Sequence, residues 1–124
     1  KTGLPFFDLD DYLVSKDGRD INTIFSENGE SYFRILERDS LRDLTEQSSS
    51  FVLASGGGAP CFYGNMKYMN RHGITIFLNP PLSQIAQRML SRKGNQRRPL
   101  LKGLDEVDLQ KELGEKLKDR LPYY

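Results

Sequence analysis

The chain reads as an α/β domain, a three-layer αβα arrangement built on a mostly parallel sheet. Three observations predict it. Short apolar runs alternate with helical patterns: LPFFDL at 4–9, FVLA at 51–54 and ITIFL at 74–78 are each followed by a helix-forming stretch. The run from Ile74 to Leu78 is continuous rather than alternating, as expected of a strand covered on both faces. The polar features stand at the ends of these runs, Asp8 and Asp10 after the first and Gly56-Gly57-Gly58 after the second. Open α/β sheets bind their ligands beyond the carboxyl ends of the strands.

Taken in order, the first strand is short and gives way to a helical stretch from Asp10 that stops at the turn pair Asp17-Gly18. Asp20 caps the next helix, whose apolar residues Ile21, Ile24 and Phe25 recur at helical spacing, and Gly29 is its stop. A longer helix runs from Glu30 to about Gln47, with Phe33, Leu36, Leu41 and Leu44 as its apolar face. Serines 48–50 form a loop before the second strand. Met66 and Met69 lie on a helix closed by Gly73, and the third strand follows. Pro80-Pro81 opens a helix with apolar positions Leu82, Ile85, Ala86, Met89 and Leu90. After the basic stretch RKGNQRRP, a last helix carries Leu109, Leu113, Leu117 and Leu121 at steps of four.

Bulk properties narrow the function. At 124 residues, 37% hydrophobic and 28% charged, the chain suits one soluble domain. A formal net charge of +1 argues against a general nucleic-acid binder. A single cysteine, Cys61, allows no disulfide within the chain and fits a reducing compartment. One histidine and one cysteine do not make a dedicated zinc or thiol–imidazole site. No apolar run reaches membrane-spanning length, so the expected place is the cytosol, with no membrane partner. The chain begins close to a strand and ends just after a helical pattern, and so reads as cut at both ends.

Several residues could carry chemistry. Asp8 and Asp10, two apart on a strand, would share a face and could hold Mg2+ through water or accept hydrogen bonds from substrate hydroxyls; a strand-end turn with a helix cap is the structural alternative. Arg34 and Glu37 can meet at i and i+3 on the long helix. The backbone N–H groups of the triple glycine could bind a carboxylate or a phosphate, although no GxxxxGK[ST] loop is present. Arg88, Arg92, Lys93, Arg97 and Arg98 make a basic stretch without acids, suited to a lid over phosphates, to an RNA contact or to plain solvation. Arg120 falls near the leucine stripe of the last helix, where an arginine usually has an anionic partner.

Five segments in this order, FFDLDDYL, DINTIFSENGESYFRILE, SGGGAP, RRPLL and KDRLPYY, resemble shikimate kinases over nearly the whole chain. The resemblance implies a P-loop kinase fold of the nucleoside monophosphate kinase type, with ATP and shikimate as substrates, Mg2+ as cofactor and a monomeric protein. It implies phosphoryl transfer from ATP to the 3-hydroxyl of shikimate, in aromatic amino-acid (chorismate) biosynthesis. Position by position, it gives Asp8 the Mg2+ through water and Asp10 the shikimate hydroxyls, including the attacking one. Arg34, supported by Glu37, would hold the shikimate carboxylate, with Arg120 as a second arginine on it. Gly57 and Gly58 would lend N–H groups. Arg98 would meet the transferring phosphate, and Arg88 or Arg92 would stack on adenine.

The substrate-binding region would cover about 10–47 and the lid about 91–104 of a single, partial domain at 1–124. The family's phosphate loop and first strand would precede Lys1, and its last strand would follow Tyr124. The missing first strand would lie between Phe51–Ala54 and Ile74–Leu78 in the sheet, leaving unpaired backbone beside both, and residues 1–124 alone would be inactive. A gluconate-type kinase on the same fold and a non-catalytic shikimate-binding fragment are the alternatives. The pairing of Arg34 and Arg120 with Asp10 favours shikimate.

Overall fold

The first strand ends where its helix begins, at one residue. A computed structural model of the chain describes residues 1–91 and 105–124. In it β1 spans Phe6–Asp8 and α1 spans Leu9–Asp17, with Asp8 as the N-cap. The Asp8 carboxylate accepts from the backbone N–H of Asp10 at 2.9 Å and of Asp11 at 3.4 Å. This satisfies donors that the first turn of a helix leaves unpaired. Asp10 and Asp11 add negative charge at the positive end of the helix. The expectation that Asp8 and Asp10 share a strand face is therefore corrected. The backbone turns helical at Leu9, and the pair occupies a cap and a first turn.

Gly18 ends α1 in the left-handed conformation, and Asp20 caps α2, which spans Ile21–Gln47. Its carboxylate accepts from the Thr23 N–H at 2.7 Å. Gly29 has non-helical φ and ψ of 80° and 176°, so the stop foreseen there is a kink between two helical halves. A polar knot ties this kink to the end of α1. Arg19 donates to both carboxylate oxygens of Asp17, at 2.6 and 3.1 Å, and also to Glu27 and Asn28. Tyr32, beyond the kink, donates its hydroxyl to Asp17 at 3.0 Å.

β2 spans Val52–Ala54 and pairs in parallel with β1, placing Phe6 opposite Val52, Phe7 opposite Leu53 and Asp8 opposite Ala54. This register brings the Asp8 cap and the glycine turn to the same end of the sheet. Beneath it, Leu9, Leu41, Leu44 and Ala59 form a buried cluster, with Phe7, Leu53 and Tyr68 packed against it. A second cluster of Leu13, Ile24 and Phe33 joins α1 to both halves of α2. A 3-10 turn at Ala59–Cys61 leads to α3, Asn65–His72, which Gly73 ends.

The third expected strand is not formed. Residues 74–78 have no regular secondary structure and no ladder partner among the described residues, and Ile74 and Leu78 are 95% and 80% exposed. A strand is a pairing, and its N–H and C=O groups must find a neighbour. The described sheet is accordingly the two-stranded β1–β2 pair.

The chain divides into two compact units, the first Lys1–Thr75 with Tyr123 and the second Ile76–Pro122 with Tyr124. The second unit pairs α4, Leu82–Leu90, with α5, Glu106–Arg120. Asp105 caps α5 by accepting from the Asp108 N–H at 2.7 Å. Ala86 and Leu109 are buried, and Leu82, Ile85, Met89, Leu113 and Leu117 line a groove whose polar edge includes Arg120. Leu121 is the C-cap and is exposed, so the leucine stripe ends one step earlier than its spacing suggests. Among the described residues no helix is long and apolar enough to cross a membrane.

Candidate substrate-binding site

The site grows from the glycine turn after β2. Gly56 has φ of 74°, a backbone conformation that side chains with a Cβ disfavour. Gly58 is needed for a different reason. Its φ of −89° suits any residue, but a Cβ there would lie 2.6 Å from Nη1 of Arg34. The arginine therefore rests on bare backbone. Pro60 follows in the 3-10 turn, and the Cys61 N–H donates to the Gly58 carbonyl at 3.0 Å. Cys61 is only partly buried, and its thiol faces the Gly57 carbonyl at 3.8 Å.

Arg34 reaches the turn from the second half of α2. Its side chain is 12% exposed, and Nη1 donates to Glu37 Oε2 at 2.8 Å. Glu37 is 3% exposed, and a carboxylate so buried needs a hydrogen-bonded cation. Glu30 accepts more weakly from Nε at 3.3 Å and Nη2 at 3.4 Å. These bonds use three of the five guanidinium N–H groups and leave two for a ligand. The Phe62 ring lies 4.2 Å and the Phe33 ring 5.2 Å from the guanidinium carbon. A planar cation with two N–H groups left over, in a mostly dry setting, is suited to a small carboxylate.

The neighbouring charges are committed elsewhere. Arg38 donates to Asp39 at 2.8 Å, which holds its guanidinium pKa above the ordinary value, and lies over Tyr63. Arg42 donates to the Arg38 carbonyl and to Oδ1 of the fully buried Asn65. Asn65 in turn donates to the Ala59 carbonyl at 3.0 Å, tying the 3-10 turn to α2. In the polar knot behind the kink, the Arg19 hydrogen bonds hold the Asp17 carboxyl below its usual pKa.

Of the residues expected from the sequence, Asp8, Asp10, Arg34, Glu37, Gly57 and Gly58 lie in the first unit, where Arg34 meets Glu37 and Gly58. Arg120 lies in the second unit, on the groove between α4 and α5, without the expected anionic partner among the described residues. Arg88 is exposed on α4. Arg92 and Arg98 fall outside the described residues, with nearly all of the expected lid. Glu30, Phe62, Asn65 and Arg42 were not foreseen. Glu30 had a signal in its i,i+4 spacing to Arg34. The other three act through contacts distant in sequence.

No cluster of three or more His, Cys, Asp or Glu side chains able to hold a metal occurs among the described residues. Magnesium does not require one. It commonly keeps several waters and takes one or two carboxylates beside substrate phosphates. Asp8 fits that role, because its cap hydrogen bonds fall on Oδ1 alone.

Comparison with known proteins identifies the family. A sequence profile described as shikimate kinase matches residues 1–124. A shikimate kinase of Bacteroides thetaiotaomicron is 40% identical over 124 residues, which are all of this chain and 69% of that protein. The crystal structure of shikimate kinase from that organism superposes with a TM-score of 0.90, covering 98% of this chain and 67% of that one. A shikimate kinase from Acinetobacter baumannii, solved in complex with shikimate, is 34% identical with a TM-score of 0.83, covering 98% of this chain and 64% of that one. The chain thus spans about two thirds of the length of these relatives. The α/β architecture is that of these kinases, and with a matching profile over its full length the chain belongs to the shikimate kinase family.

Proposed function

We propose that the protein carrying this chain transfers the γ-phosphoryl group of ATP to the 3-hydroxyl of shikimate, and that Lys1–Thr75 supplies the carboxylate-binding side of the acceptor site. The observation that carries this is the Arg34 guanidinium seated on Gly58 and held by the buried Glu37. In this reading Arg34 takes the shikimate carboxylate with its two remaining N–H groups, and the Gly57 and Gly58 backbone packs against the substrate. Asp10, in the exposed first turn of α1, accepts from the shikimate hydroxyls and orients the attacking one. Mg2+, when bound through Asp8, neutralises phosphate charge. The chain's own contribution is positioning and charge stabilisation, which dominate phosphoryl transfer.

The family resemblance alone assigns Arg120 to the substrate carboxylate, Arg98 to the transferring phosphate and Arg92 or Arg88 to adenine. It likewise supports a cytosolic monomer, which sedimentation of the whole protein checks.

The test is shikimate binding and ATP turnover by the whole protein and its Arg34→Ala variant. Loss of a desolvated charge partner should weaken shikimate binding by about 2–5 kcal/mol. Unchanged shikimate affinity in Arg34→Ala would overturn the site.

A further inference from the structure

The segment after the glycines does more than leave the sheet. It returns an aromatic ring to the arginine that the glycines seat. Phe62, the C-cap of the 3-10 turn, is partly buried, with its ring centroid 4.2 Å from the Arg34 guanidinium carbon. This is nearer than Phe33, whose ring is 5.2 Å away and also packs on Phe25 at 4.7 Å. Phe62 is itself held in place. Its carbonyl accepts from the Asn65 N–H at 2.9 Å, and its N–H donates to the Ala59 carbonyl at 3.4 Å. That same Ala59 carbonyl accepts from the buried Asn65 side chain, which Arg42 of α2 anchors. The ring is thus fixed to the helix that carries Arg34.

We infer that Phe62 is a positioning residue for the substrate carboxylate: it holds the Arg34 guanidinium over Gly58 by stacking on its face. The inference rests on Arg34 being the carboxylate ligand. A guanidinium face is weakly hydrated and is attracted to an aromatic ring, while its N–H edge keeps its donors. Hydrogen bonds donated to Glu30 and Glu37 constrain the edge, and Phe62 constrains the face. Together they present the remaining N–H groups in one orientation, so a carboxylate meets a donor pair that is already ordered.

Calorimetric titration of the whole protein with shikimate, and with its uncharged methyl ester, tests this. Phe62→Leu keeps apolar bulk and removes the ring. It should weaken shikimate binding about three- to tenfold, the range of a partly desolvated cation–π contact. The same change should leave ester binding within about twofold, since the ester makes no ionic demand on Arg34. Phe62→Tyr should bind shikimate like the parent. Phe62→Met supplies the same comparison should the leucine variant unfold. Parent-like shikimate affinity in the leucine or methionine variant, or an equal loss for shikimate and ester, would overturn the role of Phe62. Arg34→Ala, run alongside, separates the two layers. If it weakens shikimate binding while Phe62→Leu does not, only this inference fails. If Arg34→Ala itself has no effect, the carboxylate assignment fails with it.

Discussion

The guanidinium of Arg34 lies against the backbone of Gly58, so close that a single added carbon would stand 2.6 Å from Nη1. One residue comes from the middle of a long helix and the other from the turn after a strand. Their contact turns an i,i+3 ion pair on a helix and a glycine turn into one site.

Gly58→Ala tests that contact. The backbone there, with φ −89° and ψ −37°, accepts alanine, so stability should stay within about 1 kcal/mol of the parent. The new methyl must push the guanidinium aside, and shikimate affinity should fall about tenfold, or 1.4 kcal/mol. Calorimetric titration and a denaturant melt, read together, check both halves. A melt that collapses while affinity holds would show the glycine to be structural only.

Glu37 should matter to folding as well as to binding. Glu37→Ala leaves Arg34 with the exposed Glu30 as its carboxylate, and should cost about 1–3 kcal/mol of stability. Glu37→Gln keeps an oxygen acceptor for Nη1 and should retain most of that stability. Urea unfolding of the three proteins decides it.

Asp8 is expected to have two separable roles. Asparagine caps helices as well as aspartate, so Asp8→Asn should keep the melting temperature of the parent. Its missing charge should raise the Mg2+ concentration needed for turnover. Asp8→Ala should lose about 1 kcal/mol of stability in addition. A magnesium titration of ATP turnover, beside thermal melts of both variants, checks this. An unchanged magnesium requirement in Asp8→Asn would leave Asp8 as a cap only.

The Asp17–Arg19 knot predicts an acid-sensitive step. The Arg19 hydrogen bonds hold the folded-state pKa of Asp17 below its ordinary value of 3.8. A carboxylate with a depressed folded pKa stabilises the fold fully above the unfolded value. That contribution is lost as pH falls through the folded one. The parent should therefore lose stability below about pH 4 more steeply than Asp17→Asn, which has no proton to take up there. Thermal melts between pH 2.5 and 6 would show the two curves converging at the acid end. Parallel curves would exclude the linkage.

Local signals in the sequence were reliable where the interaction itself is local. Asp20, Gly18 and Gly73 bound their helices as read, because a cap is settled within a few residues. The Arg34–Glu37 pair followed from helical spacing alone. The shared strand face expected of Asp8 and Asp10 fails, and the helix-cap alternative holds, because strand and helix meet at that point and the periodicity there is already 3.6 rather than 2. Ile74–Leu78 has the composition of a buried strand but no ladder partner among the described residues, and composition cannot supply one.

By itself, then, the amino-acid order determined the helices with their caps, the parallel α/β character, the family and the arginine–glutamate pair. All of these depend on near neighbours along the chain or on a pattern shared with relatives. Tertiary structure decided what meets Arg34: Gly58 beneath it, Phe62 on its face, and Asn65 and Arg42 holding the turn to the helix. Those contacts join segments far apart in the chain. They exist only because β1 and β2 pair in one register, and the packed core beneath them brings the glycine turn against α2.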